Sequence, residues 1–186
     1  MSYKTWLEKD VVWSQRLRLD PSAHWIFRLA AFLAHSGDSW FWGAGLLLLW
    51  WLGNTFWKQW AIVVLAAISI LAALVMGLKF VIRRRRPEGE WGSIYRNTDP
   101  HSFPSGHAAR AFLIAVLAAG LGPFWVAVAL WLWAPLVSVA RVAMGVHYVS
   151  DIVAGFVVGI VTGLVALELH SHFLSLLVTL LKIPLW

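Results

Sequence analysis

The chain has 186 residues, of which 60% are hydrophobic and 13% are charged, and it contains no cysteine. A soluble domain carries roughly 25% charged residues, so about half that share leaves too few polar groups to cover a water-soluble globule. The composition therefore indicates an integral membrane protein, and the absence of cysteine excludes a disulfide scaffold, an iron–sulfur centre and a cysteine-ligated zinc site. The positions of the charged residues matter more than their net charge of +6.

The N-terminal part of the chain is amphipathic. Its first 20 residues alternate charged side chains with apolar ones, among them Trp6 and Trp13, which predicts a helix on the membrane surface. Residues 21–35 are apolar on one side but include His24 and Arg28. This segment is predicted either to lie in the interface or to form a short sixth span.

Five long apolar stretches follow, and a bilayer core needs about 20 apolar residues of helix. We predict transmembrane helices at residues 39–57, 59–82, 105–121, 124–141 and 150–169. Glycine and proline at 120–123 separate the third from the fourth, and the short apolar segment 173–181 is predicted to pack along the bundle. The expected fold is all-α, an integral membrane helical bundle of five to six transmembrane helices plus the N-terminal helix, in a single domain over residues 1–186.

The order of these spans places three charged stretches at one end of the bundle. The second span ends and the third begins on the same side of the membrane, and the hairpin at 120–123 returns the chain to that side. Residues 79–86, 102–110 and 141–151 therefore collect together. Ionisable residues in such a position indicate a functional site.

The first charged stretch is rich in cations. Lys79 and Arg86 are two helical turns apart and so share one face, and Pro87 ends the helix. The three arginines at 83–85 fit two interpretations equally well, an anion-binding cluster or the positive charges that flank the cytoplasmic end of a span. Lys79 lies inside an apolar stretch and therefore needs a partner.

The second charged stretch reads Phe-Pro-Ser-Gly-His-Ala-Ala-Arg over residues 103–110. Ser105 is placed to cap the following helix, and Gly106 leaves the first backbone N–H groups accessible, which makes the helix start an anion site. His107 lies in the first turn, and Arg110 lies on the same face. Taken alone, this stretch is also compatible with an ordinary capped helix.

The third charged stretch runs from Arg141 to Asp151. A helix there would place Asp151 one turn from His147, where a carboxylate selects the imidazole tautomer and stabilises its charged form. With Lys79 and Arg86, the three stretches supply three cations, a helix N-terminus and two histidines, which are the groups that phosphoryl transfer requires. The scarcity of carboxylates favours a site without a metal or cofactor.

The spacings Lys-x6-Arg-Pro, Pro-Ser-Gly-His and Arg-x5-His-x3-Asp resemble the three-part signature of the type 2 phosphatidic acid phosphatase superfamily. The match covers residues 79–151 and departs from the usual serine at Ala140. The resemblance implies that His147 is the nucleophile that forms a phosphohistidine, that Asp151 orients it, and that His107 protonates the leaving oxygen. It also implies a phosphate-binding set: Lys79, Arg86, Ser105, Gly106 and Arg141. Arg110 is a possible accessory because it lies on the same helix face as His107.

The expected function is that of a membrane enzyme that hydrolyses a lipid phosphate or pyrophosphate. A polyprenyl pyrophosphate such as undecaprenyl pyrophosphate is the first expected substrate, followed by phosphatidylglycerophosphate or phosphatidic acid. Three alternatives stay open: a lipid phosphotransferase that uses the same site, a non-catalytic phospholipid-binding or transport protein, and an intramembrane serine protease built on Ser105. The protease is the weakest alternative, because it would leave the cationic cluster without a task. The expected partners are the lipid substrate and the bilayer, without nucleic acid.

The expected location is the plasma (inner) membrane. The resemblance to bacterial relatives places the site on the outer (periplasmic or extracellular) face, whereas a count of positive charges places it on the cytoplasmic side. The loop at 88–103 is expected to select the head group or to act as a lid.

Overall fold

The computed structural model describes residues 3–20, 22–88 and 99–181. These residues form seven helices, which confirms the all-α prediction. The helices are α1 (Tyr3–Arg16), α2 (His24–Ser36), α3 (Ser39–Leu52), α4 (Thr55–Ile82), α5 (Gly106–Leu121), α6 (Phe124–Ala143) and α7 (Val149–Leu181). Most of the predicted head-group loop, residues 89–98, lies outside the described residues.

The five predicted spans correspond to α3 through α7. By length and composition, α4, α6 and α7 are able to cross a membrane, and α3 and α5 are shorter apolar helices. Three predicted boundaries are wrong. Helix α3 ends at Leu52 and not at residue 57, because Gly53 and Asn54 adopt extended conformations. Helix α4 begins earlier because the Asn54 side chain caps it by accepting a hydrogen bond from the Trp57 N–H. Helix α7 runs through 173–181 because residues 164–181 contain no glycine or proline to interrupt it.

Helix α5 is the buried centre of the bundle, and its residues from Ala108 to Ala118 are all buried. Helix α7 packs closely along it through three glycines spaced four residues apart, Gly155, Gly159 and Gly163. A Cβ atom at Gly155 would lie only 2.6 Å from the Ser105 carbonyl oxygen. Small residues at this spacing allow helix backbones to approach closely, and here they bring the N-terminal ends of α5 and α7 together.

The chain reverses direction immediately after α4. Arg83 adopts a left-handed conformation with φ 52° at the end of the helix, and its N–H donates to the Lys79 carbonyl. This turn directs residues 84–86 back toward the bundle, and the Ser102 N–H then donates to the Arg84 carbonyl at 2.9 Å. The first two charged stretches are thereby joined through the backbone.

Helix α1 lies at the same end of the bundle. Its Asp10 and Ser14 are buried, whereas Trp6 and Trp13, which lie four and three residues from Asp10 on the same side of the helix, are about half exposed. Just beyond the helix, the Leu19 N–H donates to the Ala143 carbonyl at 2.9 Å, which connects the N-terminal segment to the end of α6.

Candidate active site

The three charged stretches meet at the end of the bundle where α4 and α6 end and α5 and α7 begin. Ser105 links two of them, because its N–H donates to the Asp151 carbonyl at 3.0 Å. Arg86 links the first to the third, because its Nη1 donates to the Val146 carbonyl at 3.0 Å. The arrangement places both histidines of the signature near one group of cations.

The His147–Asp151 pair is fully enclosed. The two side chains are 1% and 0% exposed, and Nδ1 of His147 lies 3.4 Å from Oδ2 of Asp151. The Tyr148 N–H donates to the same carboxylate oxygen at 2.9 Å. With Nδ1 facing the carboxylate, Nε2 is the imidazole nitrogen that faces the cations, and Arg86 Nη1 lies 3.3 Å from it.

Lys79 and Arg86 share a carboxylate. Oδ2 of Asp99 accepts a hydrogen bond from Lys79 Nζ at 2.5 Å and from Arg86 Nη2 at 2.7 Å. Lys79 also donates to the His101 carbonyl at 2.9 Å, which supplies the partner that the sequence requires for it. An anionic oxygen therefore sits between two of the three cations predicted to bind phosphate.

Burial and the surrounding positive charges lower the pKa of His147, the nucleophile candidate. Burial holds the pKa of His147 well below its usual 6.5, and the positive charges of Arg86, Arg141 and Lys79 lower this pKa further. Arg141 is itself buried, with 1% of its surface exposed. The His147 imidazole is consequently neutral at neutral pH, which is the form that can attack phosphorus.

The second histidine is bound to a carboxylate that the sequence analysis did not select. Nε2 of His107 lies 2.7 Å from Oδ1 of Asp38, in the turn between α2 and α3. The other oxygen of Asp38 lies 3.2 Å from Nδ1 of His35. Burial raises the pKa of Asp38, but the hydrogen bonds and charges of His107 and His35 outweigh it and lower this pKa to about 2.

Arg110 holds the turn that carries Asp38. Its Nε donates to the Gly37 carbonyl at 2.9 Å, Nη2 donates to the same oxygen, and Nη1 donates to Ser39 Oγ at 2.5 Å. These contacts attach the Asp38 turn to the first turns of α5. Asp38 is the only acidic residue between positions 21 and 87, which marks it as unusual in the sequence but does not identify His107 as its partner.

The start of α5 has the predicted cap. The Ser105 side chain accepts a hydrogen bond from the Ala108 N–H at 3.4 Å. Gly106 and His107 line a cavity of about 160 Å³ together with Lys79 and apolar residues of α4. The cavity thus joins the charged end of the bundle to an apolar wall.

Arg84 is another functional candidate that the sequence left undecided. Its guanidinium bonds Asp151 rather than pointing to the surface. Within residues 3–20, 22–88 and 99–181, no group of three or more acidic, histidine or cysteine side chains lies together in a way that could hold a metal ion. Metal independence stays a prediction.

Comparison with known proteins places these stretches in a family. Residues 61–174 match the model of the PAP2 superfamily. The chain is 33% identical over 110 residues to an undecaprenyl-diphosphatase of Sulfolobus acidocaldarius, covering 56% of this chain and 53% of that protein. It is 32% identical over 98 residues to a lipid A 1-phosphatase of Porphyromonas gingivalis, covering 51% and 20%.

A third relative is a probable lipid phosphate phosphatase beta of Arabidopsis thaliana, 33% identical over 120 residues, which cover 49% of this chain and 56% of that protein. The chain thus spans about half the length of two of these relatives and a fifth of the other.

Two solved structures share the fold. The crystal structure of Aquifex aeolicus LpxE has a TM-score of 0.63 and 26% identity, and the match covers 77% of this chain and 86% of that one. A transmembrane PAP2 type phosphatidylglycerolphosphate phosphatase from Bacillus subtilis has a TM-score of 0.69 and 23% identity, with 90% and 87% covered. The second likeness concerns the fold alone.

Proposed function

The chain belongs to the PAP2 superfamily, and from this premise we propose that it is a membrane lipid phosphatase, a phosphoric monoester or diphosphate hydrolase that acts through a phosphohistidine without a metal ion. One observation carries the proposal. A buried histidine paired with a carboxylate turns its free nitrogen toward a cluster of three cations. Few tasks other than phosphoryl transfer need an activated nucleophile beside so much positive charge.

In the proposed first step, Nε2 of His147 attacks phosphorus while the bond to the leaving oxygen breaks. Asp151 accepts the Nδ1–H hydrogen bond and stabilises the positive charge that develops on the ring. His107 donates a proton to the leaving oxygen. In the second step, His107 takes a proton from water, the resulting hydroxide attacks the phosphohistidine, and the P–N bond breaks to release phosphate and regenerate His147.

Asp99 supports the assignment of the phosphate site. Its carboxylate oxygen bridges Lys79 and Arg86, in the geometry expected of an oxygen of a bound phosphate. In the proposed cycle the substrate phosphate replaces this carboxylate. Arg141, Ser105 and the Gly106 N–H then complete the phosphate contacts.

A lipid is the proposed substrate class because the charged end of the site adjoins an apolar wall. Leu71, Val75 and Met76 of α4 line the same cavity as Lys79 and His107, so an apolar chain can lie beside the head group. A polyprenyl pyrophosphate ranks first, as the name of the archaeal relative suggests, and phosphatidylglycerophosphate or phosphatidic acid next. In this proposal residues 1–186 act as one domain.

We further propose that the site faces the outside of the plasma (inner) membrane. The chain has no native cysteine, so Glu88→Cys, at the site end and exposed, reports its side directly. A membrane-impermeant thiol reagent is expected to label this variant in intact cells. Labelling only after lysis would place the site in the cytoplasm.

The central experiment measures phosphate release from a panel of lipid phosphates and pyrophosphates in detergent with a chelator present. The unmodified protein is expected to release phosphate, and His147→Ala is expected to abolish both release and the acid-labile phosphoenzyme. His107→Ala should slow release strongly, whereas His172→Ala, which changes an exposed histidine of α7, should not. Complete loss of activity on chelation would contradict the metal-free mechanism.

The same assay separates the alternatives. A phosphotransferase would need an alcohol acceptor and would yield a phosphorylated acceptor instead of free phosphate. A binding or transport protein would release no phosphate with any lipid, and His147→Ala would leave its lipid binding unchanged.

A further inference from the structure

Arg84 connects the catalytic carboxylate to a helix outside the signature region. Its Nη1 donates to Asp151 Oδ1 at 2.8 Å and to Ser150 Oγ at 2.6 Å. Its Nη2 donates to Asp10 Oδ2 of α1 at 2.6 Å. The guanidinium also lies 4.0 Å above the centre of the Tyr148 ring. Four neighbours from two parts of the chain therefore fix one side chain.

Helix α1 also caps the helix that carries Asp151. The first N–H groups of a helix have no partner within it and must find one outside. Oδ1 of Asp10 accepts from the Ser150 N–H at 3.0 Å, and Ser14 Oγ accepts from the Val149 N–H at 3.0 Å. The N-terminal end of α7 is thus held by side chains from a helix more than 130 residues away.

The two oxygens of Asp151 have separate tasks. Oδ2 faces His147 and the Tyr148 N–H, whereas Oδ1 accepts from Arg84. The carboxylate is thus held at both oxygens, with a further hydrogen bond from the Ser102 side chain, and Arg84 contributes to its direction toward the imidazole. Because Asp151 is fully buried, loss of Arg84 would also remove the salt bridge that compensates its desolvation.

We propose that Arg84 and Asp10 are positioning residues for the reaction, which hold Asp151 in the orientation that aligns the His147 nucleophile. The inference rests on the proposed phosphatase function and adds α1 to the catalytic unit. Asp10 acts through Arg84 and through its cap on α7, and Arg84 acts through Asp151, so neither residue touches the substrate. Trp6 and Trp13 flank Asp10 on the same side of α1, line one cavity with it and Arg84, and are about half exposed, which suits a membrane interface.

The test is a comparison of kinetic constants among purified, folded variants. Arg84→Gln is expected to lower kcat about 100-fold, the size of loss that a small misplacement of a catalytic group produces. KM and the inhibition constant of inorganic phosphate should stay unchanged, because the phosphate-binding cations are intact. Asp10→Asn should lower kcat in the same way but by less, and Arg84→Lys should recover part of the loss.

The double variant sharpens the test. If both residues act in one chain of contacts, Asp10→Asn should add little to the loss already caused by Arg84→Gln. Arg85→Gln serves as the matched control, since Arg85 belongs to the same run of arginines and is exposed. It should behave like the unmodified protein.

Three results would overturn the inference: an unchanged kcat in folded Arg84→Gln, a raised KM at constant kcat, or fully additive losses in the double variant. If Arg84→Gln does not fold, Asp10→Asn alone decides by the same kinetic criteria. Absence of phosphate release by the unmodified protein would instead contradict the proposed function.

Discussion

The two histidines of the site are each bonded to a carboxylate, but the two pairs are built in different ways. His147 and Asp151 lie one helical turn apart, and both are almost completely buried. His107 and Asp38 are 69 residues apart and come from α5 and the α2–α3 turn. Their side chains are 16% and 19% exposed.

This difference matches the tasks proposed for the two histidines. A nucleophile that carries the phosphoryl group benefits from exclusion of water, which strengthens the surrounding electrostatic contacts and protects the intermediate. An acid–base group must exchange protons with the leaving oxygen and then with water, so it needs an open side. A buried local pair and a more open long-range pair meet these two needs within one site.

The largest expected effects come from breaking the two pairs separately. Asp151→Asn is expected to lower kcat by about 10⁴-fold, because the amide no longer selects the productive tautomer of the nucleophile. Asp38→Asn is expected to lower kcat by only about 100-fold, the contribution of an acid–base group. Phosphate release under saturating lipid measures both.

His35→Gln provides the control for the second pair, because it removes the other partner of Asp38 and leaves the bond to His107. It should retain most of the activity. An Asp38→Asn variant with unchanged kcat would show that this carboxylate supports the fold alone. Equal losses in Asp38→Asn and Asp151→Asn would remove the distinction between the pairs.

The local pair could be predicted from the sequence, and the long-range pair could not. Two residues that are four apart in the sequence lie one turn apart on a helix and can contact each other. The pairing of His147 with Asp151 could therefore be predicted without a structure. Asp38 meets His107 only through the packing of α2, α3 and α5, which no local pattern encodes. Arg84 was undecided for the same reason, since its partner Asp10 lies on α1.

The helices, like the two histidine pairs, could be predicted where the signal was local in the sequence. Long apolar stretches and the break at 120–123 predicted the positions of α3 to α7, because each depends on neighbouring residues. Their ends were predicted less well: the break at Gly53 and Asn54 separates α3 from α4, and α7 continues past Glu168 and His170, where the uncharged apolar stretch ends. The close packing of α5 on α7 depends on Gly155, Gly159 and Gly163, whose partners lie about 50 residues earlier.

A smaller effect is expected from Asp99, which is bonded to cations on the nucleophile side of the site. In the proposed cycle, the substrate phosphate displaces this carboxylate from Lys79 and Arg86. Asp99→Asn weakens the competing contact, and hydrogen bonds to charged groups contribute about 1.5–3 kcal/mol. We therefore expect KM to fall about tenfold while kcat stays constant.

Glu88→Gln is the matched control for this measurement, because Glu88 is an exposed acid of the same connection and should leave KM unchanged. A higher KM in Asp99→Asn would mean that the carboxylate contributes to substrate binding and does not compete with it. The nucleophile side of the site would then have no carboxylate that competes with substrate, and in this respect it would not differ from the His107–Asp38 side.

The smallest expected effect is a shift in pH dependence, and it concerns the buried pair alone. The pKa of His147 lies well below 6.5 because of burial and of the charges of Arg86, Arg141 and Lys79. Only the neutral imidazole attacks phosphorus, so kcat/KM should fall as the pH drops through this lowered pKa, on the acid side of 6.5. Lys79→Met removes one cation and should move this acid limb upward by roughly one unit, whereas Lys58→Met, at the other end of α4, should not. If the acid limb stays in place in Lys79→Met, the limb belongs to the titration of another group. His107, which is bonded to Asp38, would then be the first candidate to test.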